Sequence, residues 1–192
     1  MKPRIVFRTR ASWATRSAAI VAVMAVGLAA CSLVDSPDAD SPSSVSPDEG
    51  KASTALDAGL EAHAAGDLTG AAVNYKETLK FDPKNQYAFY NLALIDEAAG
   101  NYGLAEEKYR AALETDPAYV PALFNLAILR TSRDPEEAIA LYRRAVAADK
   151  KNAAAWLNLG LLLRAAGQMK EGDKAVLKAI ALDPTLQDPS SS

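Results

Sequence analysis

Residues 86–119 read QYAFYNLALIDEAAGNYGLAEEKYRAALETDPAY, and this stretch decides the fold. Its two apolar runs, Tyr87 to Ala98 and Leu104 to Leu113, space their apolar residues near the helical period of 3.6, which predicts two amphipathic helices. Gly100 suits the left-handed position that ends a helix, and Pro117 disfavours helix in the residue before it. The stretch therefore predicts two helices joined by a glycine turn.

Three Asp-Pro pairs indicate that this pair of helices recurs along the chain. Pro83 and Pro117 lie 34 residues apart, and Pro184 lies 67 residues further on, with Lys150 at the intervening place. We therefore divide the body into units one to four, at 52–85, 86–119, 120–152 and 153–186. The units align three columns: asparagines (Asn91, Asn125, Asn158), tyrosines (Tyr75, Tyr109, Tyr142) and mid-unit glycines (Gly66, Gly100, Gly167). A single pair cannot bury its apolar face, so the units must stack.

These columns resemble the tetratricopeptide repeat, and the resemblance covers residues 52–186. It implies an all-α fold, a solenoid of about four helical hairpins whose concave groove is lined by the first helix of each unit. Unit three lacks the glycine, but Asp134 and Pro135 suit the cap and first turn of its second helix. By position, the resemblance assigns partner binding to Tyr87, Tyr90, Asn91, Leu94, Phe124, Asn125, Ile128, Leu157 and Asn158, with Leu56, Leu60 and Leu161 also on the groove wall.

The predicted groove is apolar and aromatic. Family members that clamp a C-terminal carboxylate carry Lys or Arg where this chain has Leu56, Tyr90, Phe124 and Leu157, so the resemblance implies no such clamp. A groove of this kind suits a helix or a hydrophobic peptide, although individual side chains could instead pack within the superhelix. The asparagine amides offer a donor and an acceptor. They either bind the backbone of an extended peptide or bond to the adjacent helix, and the sequence leaves both readings open.

Residues 1–30 have the pattern of a secretory signal. Basic residues run to Arg16, and an apolar stretch of 13 residues follows from Ala18 to Ala30, whereas a helix that crosses a bilayer needs about 20 residues. The end of this stretch, Leu28-Ala29-Ala30-Cys31, resembles the bacterial lipobox. The resemblance implies that Cys31 receives diacylglycerol and becomes the acylated first residue of the mature chain. A plain signal peptide and a short anchor helix are the alternatives.

Both ends of the mature chain are predicted to be disordered. Residues 32–50 hold mainly Ser, Pro and Asp, and such a composition cannot bury enough apolar surface to offset its ordering entropy. We therefore assign 31–51 to the lipidated cysteine and a tether, and 187–192 to a disordered tail. The expected location is the cell membrane or outer membrane, with the protein lipid-anchored and facing the periplasm or the exterior.

Charge and residue counts exclude several functional classes. From Cys31 onward the chain carries 16 basic and 24 acidic residues, and an acidic body does not hold a phosphate backbone, so we expect no nucleic-acid partner. One cysteine forms no intrachain disulfide, and no ligand set has the spacing of a zinc site, so we expect no metal and no cofactor. We expect His63 to be a solvated helix-end residue. With no catalytic set visible, the chain is not expected to be an enzyme.

The sequence thus predicts a membrane-anchored scaffold that binds an unidentified envelope protein or peptide. The alternative is a binder of peptidoglycan or another carbohydrate, whose aromatic side chains would stack on sugars. Only Trp13 and Trp156 are present for that role, and Trp13 lies in the predicted signal.

The C-terminal edge of the solenoid lacks an obvious cover in the sequence, because the chain after the last helix is short and polar. Val176, Leu177 and Ile180 are the apolar residues concerned. Exposed apolar patches mark association surfaces, so we expect this edge to meet a second copy, as a homodimer, or the partner. The alternative is that Leu182 and Leu186 fold back over it.

Overall fold

The computed structural model describes residues 47–186 and Asp188. The predicted signal, Cys31 and the tether up to residue 46 lie outside the described residues. Within 47–186 the chain forms eight α-helices and no strand. The helices are α1 (Pro47–Ala64), α2 (Leu68–Phe81), α3 (Gln86–Ala98), α4 (Tyr102–Thr115), α5 (Val120–Arg130), α6 (Pro135–Ala148), α7 (Ala153–Ala165) and α8 (Met169–Leu182).

The helices fall into four consecutive hairpins, so the prediction of an all-α repeat fold is confirmed. Each helix packs against the next one in the chain, most extensively within its own hairpin. The structure corrects one boundary, because α1 begins at Pro47 and residues 47–51 of the predicted tether are helical. Proline is favoured in a first helical turn, and Asp48 and Glu49 place negative charge at the positive end of the helix dipole.

The turns inside the hairpins follow the predicted glycine column. Gly66, Gly100 and Gly167 all have φ near +80°, a conformation that glycine adopts without steric cost. In unit three, where the glycine is missing, the Asp134 carboxylate accepts a hydrogen bond of 3.0 Å from the Glu137 amide and caps α6. The predicted cap therefore replaces the glycine turn.

The core lies along the seam between the two helices of each hairpin. The tyrosine column is fully buried there, and it packs against columns of alanine that let the helices approach closely. A buried phenol needs hydrogen-bond partners. In units one and two, the first helix of the hairpin supplies the polar group that contacts the tyrosine hydroxyl. Tyr109 donates to the Glu97 carboxylate at 2.8 Å, and the Tyr75 hydroxyl lies 3.3 Å from His63 Nδ1. His63 lies in the last turn of α1, as predicted, but it is partly buried beside Tyr75, which corrects the expectation that it is solvated.

An ion-pair cluster fixes unit two against unit three. Arg130 at the end of α5 pairs with Glu106 of α4 at 3.2 Å, with Glu137 of α6 at 2.6 Å and with Asp134 at 3.2 Å. Arg110 pairs with the same Glu106 and Glu137. Burial acts to raise the pKa of Glu106, but the two guanidinium groups hold it below its usual value. A network of this kind is more constraining than isolated surface pairs, and it holds α5 in place next to the preceding hairpin.

Among the described residues, no helix is long and apolar enough to cross a membrane.

Candidate partner-binding surface

Three tyrosine rings meet through Tyr119 where units two and three join, and with Phe124, which occupies the Tyr90 position of unit three, we call them the aromatic surface. It consists of Tyr87 and Tyr90 on α3, Tyr119 immediately before α5, and Phe124 on α5. The Tyr119 ring stands edge-on to Tyr87, with centroids 5.6 Å apart, and edge-on to Tyr90, at 5.4 Å. Edge-to-face contacts of this kind fix the orientation of the rings beyond what burial alone achieves. The rings are thus held in place before any ligand arrives.

A polar network beneath the rings locks them further. The Asn125 amide nitrogen donates to the hydroxyls of Tyr90 at 3.2 Å and Tyr109 at 3.3 Å, and Tyr109 donates to Glu97. Burial raises the pKa of Tyr90 to about 12, and burial and the Glu97 charge raise the pKa of Tyr109 above its usual value. Both phenols therefore stay neutral, and the network persists, throughout the physiological pH range.

Tyr87 is the residue of the aromatic surface that offers most area to a ligand. Its side chain is 47% exposed, whereas Tyr90, Tyr119 and Phe124 are partly buried against the core. Phe124 stands edge-on to the buried Tyr142, with centroids 5.8 Å apart. The predicted groove residues Leu94 and Ile128 are also partly buried and pack on the same core. The aromatic surface is therefore continuous with the core, and Tyr87 is its most exposed ring.

The asparagine column serves the solenoid itself. Asn91 donates from its amide to the Tyr87 carbonyl of its own helix at 2.8 Å, and Asn125 donates to the two tyrosine hydroxyls. Asn158 is buried. Asn125 thus bonds to neighbouring helices, in agreement with one of the two alternatives that the sequence left open, whereas Asn91 bonds within its own helix.

The structure corrects the predicted groove wall at unit four. Leu157 and Asn158 are both buried and offer no surface to a ligand. Leu157 lies in an apolar cluster with Leu161, Val176 and Ala179, and Leu186 from beyond α8 packs against this cluster. The α8 residues of this cluster and Leu186, in the segment that follows the last helix, together bury Leu157, and the periodicity of α7 alone does not reveal these contacts.

The same segment changes the predicted C-terminal edge. Val176 is fully buried, and Leu186 folds back as the alternative foresaw, while Leu177 remains 66% exposed. Asp188, which falls in the predicted disordered tail, forms a two-point ion pair with Arg164 at 2.8 and 2.9 Å. The edge is therefore partly covered by the chain's own C-terminal segment.

Tyr119 is a site residue that the sequence analysis missed. Tyr119 lies immediately before α5, the first helix of unit three. In the same column, Asn85 precedes the first helix of unit two and Asn152 precedes the first helix of unit four. Each of these asparagines caps its helix by accepting a hydrogen bond of 2.9 Å from a backbone amide, whereas Tyr119 makes no side-chain cap. Replacing a capping residue costs about 1 kcal/mol of helix stability. A tyrosine in the column where Asn85 and Asn152 cap their helices therefore indicates, already in the sequence, a role other than capping.

Comparison with known proteins agrees with this architecture. The tetratricopeptide-repeat family model matches residues 56–120 and 128–186, well over half of the chain. No curated protein sequence matches it. The chain is similar in structure to the MamA protein, with a TM-score of 0.62 at 20% identity over 73% of this chain and 82% of MamA.

Two further solved structures share the fold at similarly low identity. PilF of Pseudomonas aeruginosa has a TM-score of 0.62 at 22% identity, over 72% of this chain and 64% of PilF. A thermophilic tetratricopeptide-repeat protein of Thermus thermophilus has a TM-score of 0.54 at 21% identity, over 70% of this chain and 75% of that protein. Because the family model matches most of the described helical hairpins, the chain belongs to the tetratricopeptide-repeat family.

Proposed function

We propose that this protein is a lipid-anchored scaffold of the bacterial cell envelope that binds a peptide or helix of a partner protein through the aromatic surface. Tetratricopeptide repeats build protein–protein interaction scaffolds, and the fold of this chain supports that general role. The observation that carries the specific proposal is the half-exposed Tyr87 ring, held edge-on by Tyr119 in a cluster that is rigid before binding. The protein is proposed to act by binding alone, without catalysis.

The chemistry of the aromatic surface favours an apolar partner segment. Tyrosine supplies a large contact area and loses little conformational entropy, which is why it is enriched in binding hot spots. The rings of Tyr87, Tyr90 and Tyr119 already support one another, so ordering them on binding costs little free energy. No Lys or Arg belongs to the aromatic surface, which therefore suits the apolar face of a helix or a hydrophobic peptide.

The charge of the chain argues against electrostatic attachment to a membrane, which leaves the proposed lipid at Cys31 as the means of attachment. From Cys31 onward acidic residues outnumber basic ones by 24 to 16, and anionic lipid headgroups repel such a body instead of holding it. Stable attachment must then come from acyl chains. A tether from residue 32 to residue 46 would allow the solenoid to stand up to roughly 45 Å from the lipid when fully extended.

The carbohydrate alternative loses support at Trp156, the tryptophan outside the predicted signal. The Trp156 ring packs on the core between the last two units, and its Nε1 donates to the Lys150 carbonyl at 3.1 Å. Sugar stacking requires an exposed aromatic face, whereas this ring is partly buried. We therefore prefer a protein partner.

Replacing Tyr87 with alanine tests the aromatic surface, and Tyr102→Ala is its matched control. Both tyrosines are about half exposed, at 47% and 48%, but Tyr102 begins α4 and lies outside the aromatic surface. We expect Tyr87→Ala to weaken partner binding at least tenfold, a loss of about 1.4 kcal/mol or more, and Tyr102→Ala to leave it unchanged. The measurement is quantitative co-purification of partners from solubilised envelopes of the native cells. Equal recovery with the two variants would place the binding site elsewhere.

Two substitutions at Tyr119 separate its effect on stability from its effect on partner binding. Tyr119→Asn and Tyr119→Ala both remove the ring contacts to Tyr87 and Tyr90, so we expect both to reduce partner recovery equally. The asparagine variant regains the cap that Asn85 and Asn152 provide, and we expect it to be more stable than the alanine variant by about 1 kcal/mol. Urea unfolding followed by circular dichroism gives the stability difference. If the more stable variant also recovered its partner, the ring itself would have no part in binding.

A further inference from the structure

Three residues on α7 form a stripe along one face of the helix, and we call it the unit-four stripe. Leu157, Leu161 and Arg164 are spaced by four and three residues, which places them on the same helix face. In the repeat register they correspond to Tyr90, Leu94 and Glu97 of unit two. The unit-four stripe is thus the continuation of the surface that we propose binds the partner.

The C-terminal segment of the chain lies on this stripe. Leu186 packs against the cluster that contains Leu157 and Leu161, and the Asp188 carboxylate meets the Arg164 guanidinium with two hydrogen bonds of 2.8 and 2.9 Å. Two parallel bonds between a guanidinium and a carboxylate give geometric specificity as well as attraction. The Arg164 side chain is only 17% exposed, so its charge depends on such carboxylates, including that of Asp173 on α8.

The repeat register explains why the segment reaches the stripe. Asp183 accepts hydrogen bonds from the Thr185 amide and hydroxyl, a turn of the same type that Asp116 makes with the Ala118 amide between units two and three. This turn brings Leu186 to the column that Tyr119 occupies. Tyr119 contacts the rings of Tyr87 and Tyr90, and Leu186 packs against the cluster that contains Leu157, the residue of unit four that corresponds to Tyr90. The C-terminal segment therefore starts like the first residues of a further unit, and its Leu186 and Asp188 side chains contact unit four.

We propose that Leu186 and Asp188 act as an internal ligand of the unit-four stripe, and that a partner segment with a large apolar side chain followed two residues later by a carboxylate exchanges with them. This inference rests on the proposed function, since it makes the stripe part of the same partner-binding surface. Leu186 and the Asp188 carboxylate supply an apolar contact and an ion pair, and a partner segment of the same chemistry would make the same two interactions. The partner would thus meet the aromatic surface and the stripe together.

The test uses the chain's own segment as the probe. A fluorescent peptide with the sequence of residues 184–189, PTLQDP, is titrated into two full-length proteins and followed by anisotropy. One protein is the wild type and the other carries Leu186→Ser with Asp188→Asn, which frees the stripe. A tethered segment competes at an effective concentration in the millimolar range, so we expect the peptide to bind the freed variant about tenfold more tightly than the wild type.

Two controls make the result specific to the ion pair. Arg164→Gln, added to the freed variant, should abolish peptide binding. A peptide with asparagine in place of its aspartate should fail to bind the freed variant, and this control leaves the protein unaltered if Arg164→Gln disturbs folding. The proposal is overturned if the freed variant does not bind PTLQDP, if it binds the asparagine peptide equally well, or if the wild type binds PTLQDP as tightly as the freed variant.

Failure of this inference and failure of the proposed function are distinguishable. Peptide binding at the stripe does not involve Tyr87, so Tyr87→Ala in the freed variant should bind PTLQDP unchanged. A negative peptide result together with lost partner recovery in Tyr87→Ala would refute the internal ligand and leave the aromatic surface as the binding site. The reverse pattern would refute the aromatic surface and leave the stripe as a peptide site.

Discussion

Cys31→Ala is expected to abolish lipidation and to block cleavage by the lipoprotein peptidase, so that the protein accumulates as the unacylated precursor with residues 1–30 still attached. The thiol of Cys31 is the acceptor of the lipid in the lipobox that the sequence Leu28-Ala29-Ala30-Cys31 resembles. Each buried methylene of an acyl chain contributes about 0.8 kcal/mol to membrane binding, so several chains anchor a protein far more firmly than one does. The acidic body adds no attraction to an anionic surface. The loss of the acyl chains should therefore remove nearly all of the membrane affinity that they would give the mature chain.

The neighbouring Ser32→Ala is the matched control, because it alters the next residue and leaves the thiol in place. We expect this variant to be lipidated and to fractionate as the wild type does. The measurement is fractionation of cells that express each variant, with mass spectrometry of the mature N-terminus. A Cys31→Ala protein that is still cleaved after Ala30 and still found in membranes would overturn the lipoprotein proposal.

The sequence predicted those parts of the fold that depend on local chemistry. The column of Gly66, Gly100 and Gly167 was recognisable because a left-handed helix end strongly favours glycine, and the structure has all three at positive φ. Asp134 could be assigned as a cap because an aspartate before a proline and an apolar run is a helix-start signal. These features repeat at a fixed period, so each unit reinforced the interpretation of the others.

The remaining features depend on contacts between residues far apart in sequence. The periodicity of α7 could not show that Leu157 is buried, because its cluster is completed by Val176 and Ala179 of α8 and by Leu186, which follows α8. The Arg164–Asp188 pair spans 24 residues and falls in a polar stretch whose composition predicts disorder. Tyr119 was missed for another reason: its departure from the capping asparagines was visible, but only the structure shows which rings it meets.

Gly160→Ala is expected to destabilise unit four, although alanine is the better helix former. Gly160 on α7 faces Gly172 on α8 at the closest approach of these helices. A Cβ on Gly160 would lie 2.7 Å from the Val176 side chain, 2.8 Å from the Gly172 carbonyl oxygen and 2.9 Å from the Val176 amide nitrogen. Two of these three atoms belong to the backbone, so side-chain rotation cannot relieve the contacts and the helices must separate. Overpacking of this kind costs about 1–3 kcal/mol.

Gly103→Ala is the matched control, because Gly103 also lies within a helix but a Cβ there would meet nothing within 4 Å. The substitution then acts on helix propensity alone, and because Gly103 lies in the first turn of α4 we expect it to raise the free energy of unfolding by less than the about 1 kcal/mol typical of a helix interior. Urea unfolding followed by circular dichroism should therefore give shifts of opposite sign for the same chemical change. Two stabilising shifts would show that α7 and α8 do not approach as closely as Gly160 and Gly172 indicate. In units two and three alanines occupy both of these columns, so the Gly160–Gly172 contact distinguishes unit four from them, and α7 of unit four carries the stripe on which the C-terminal segment lies.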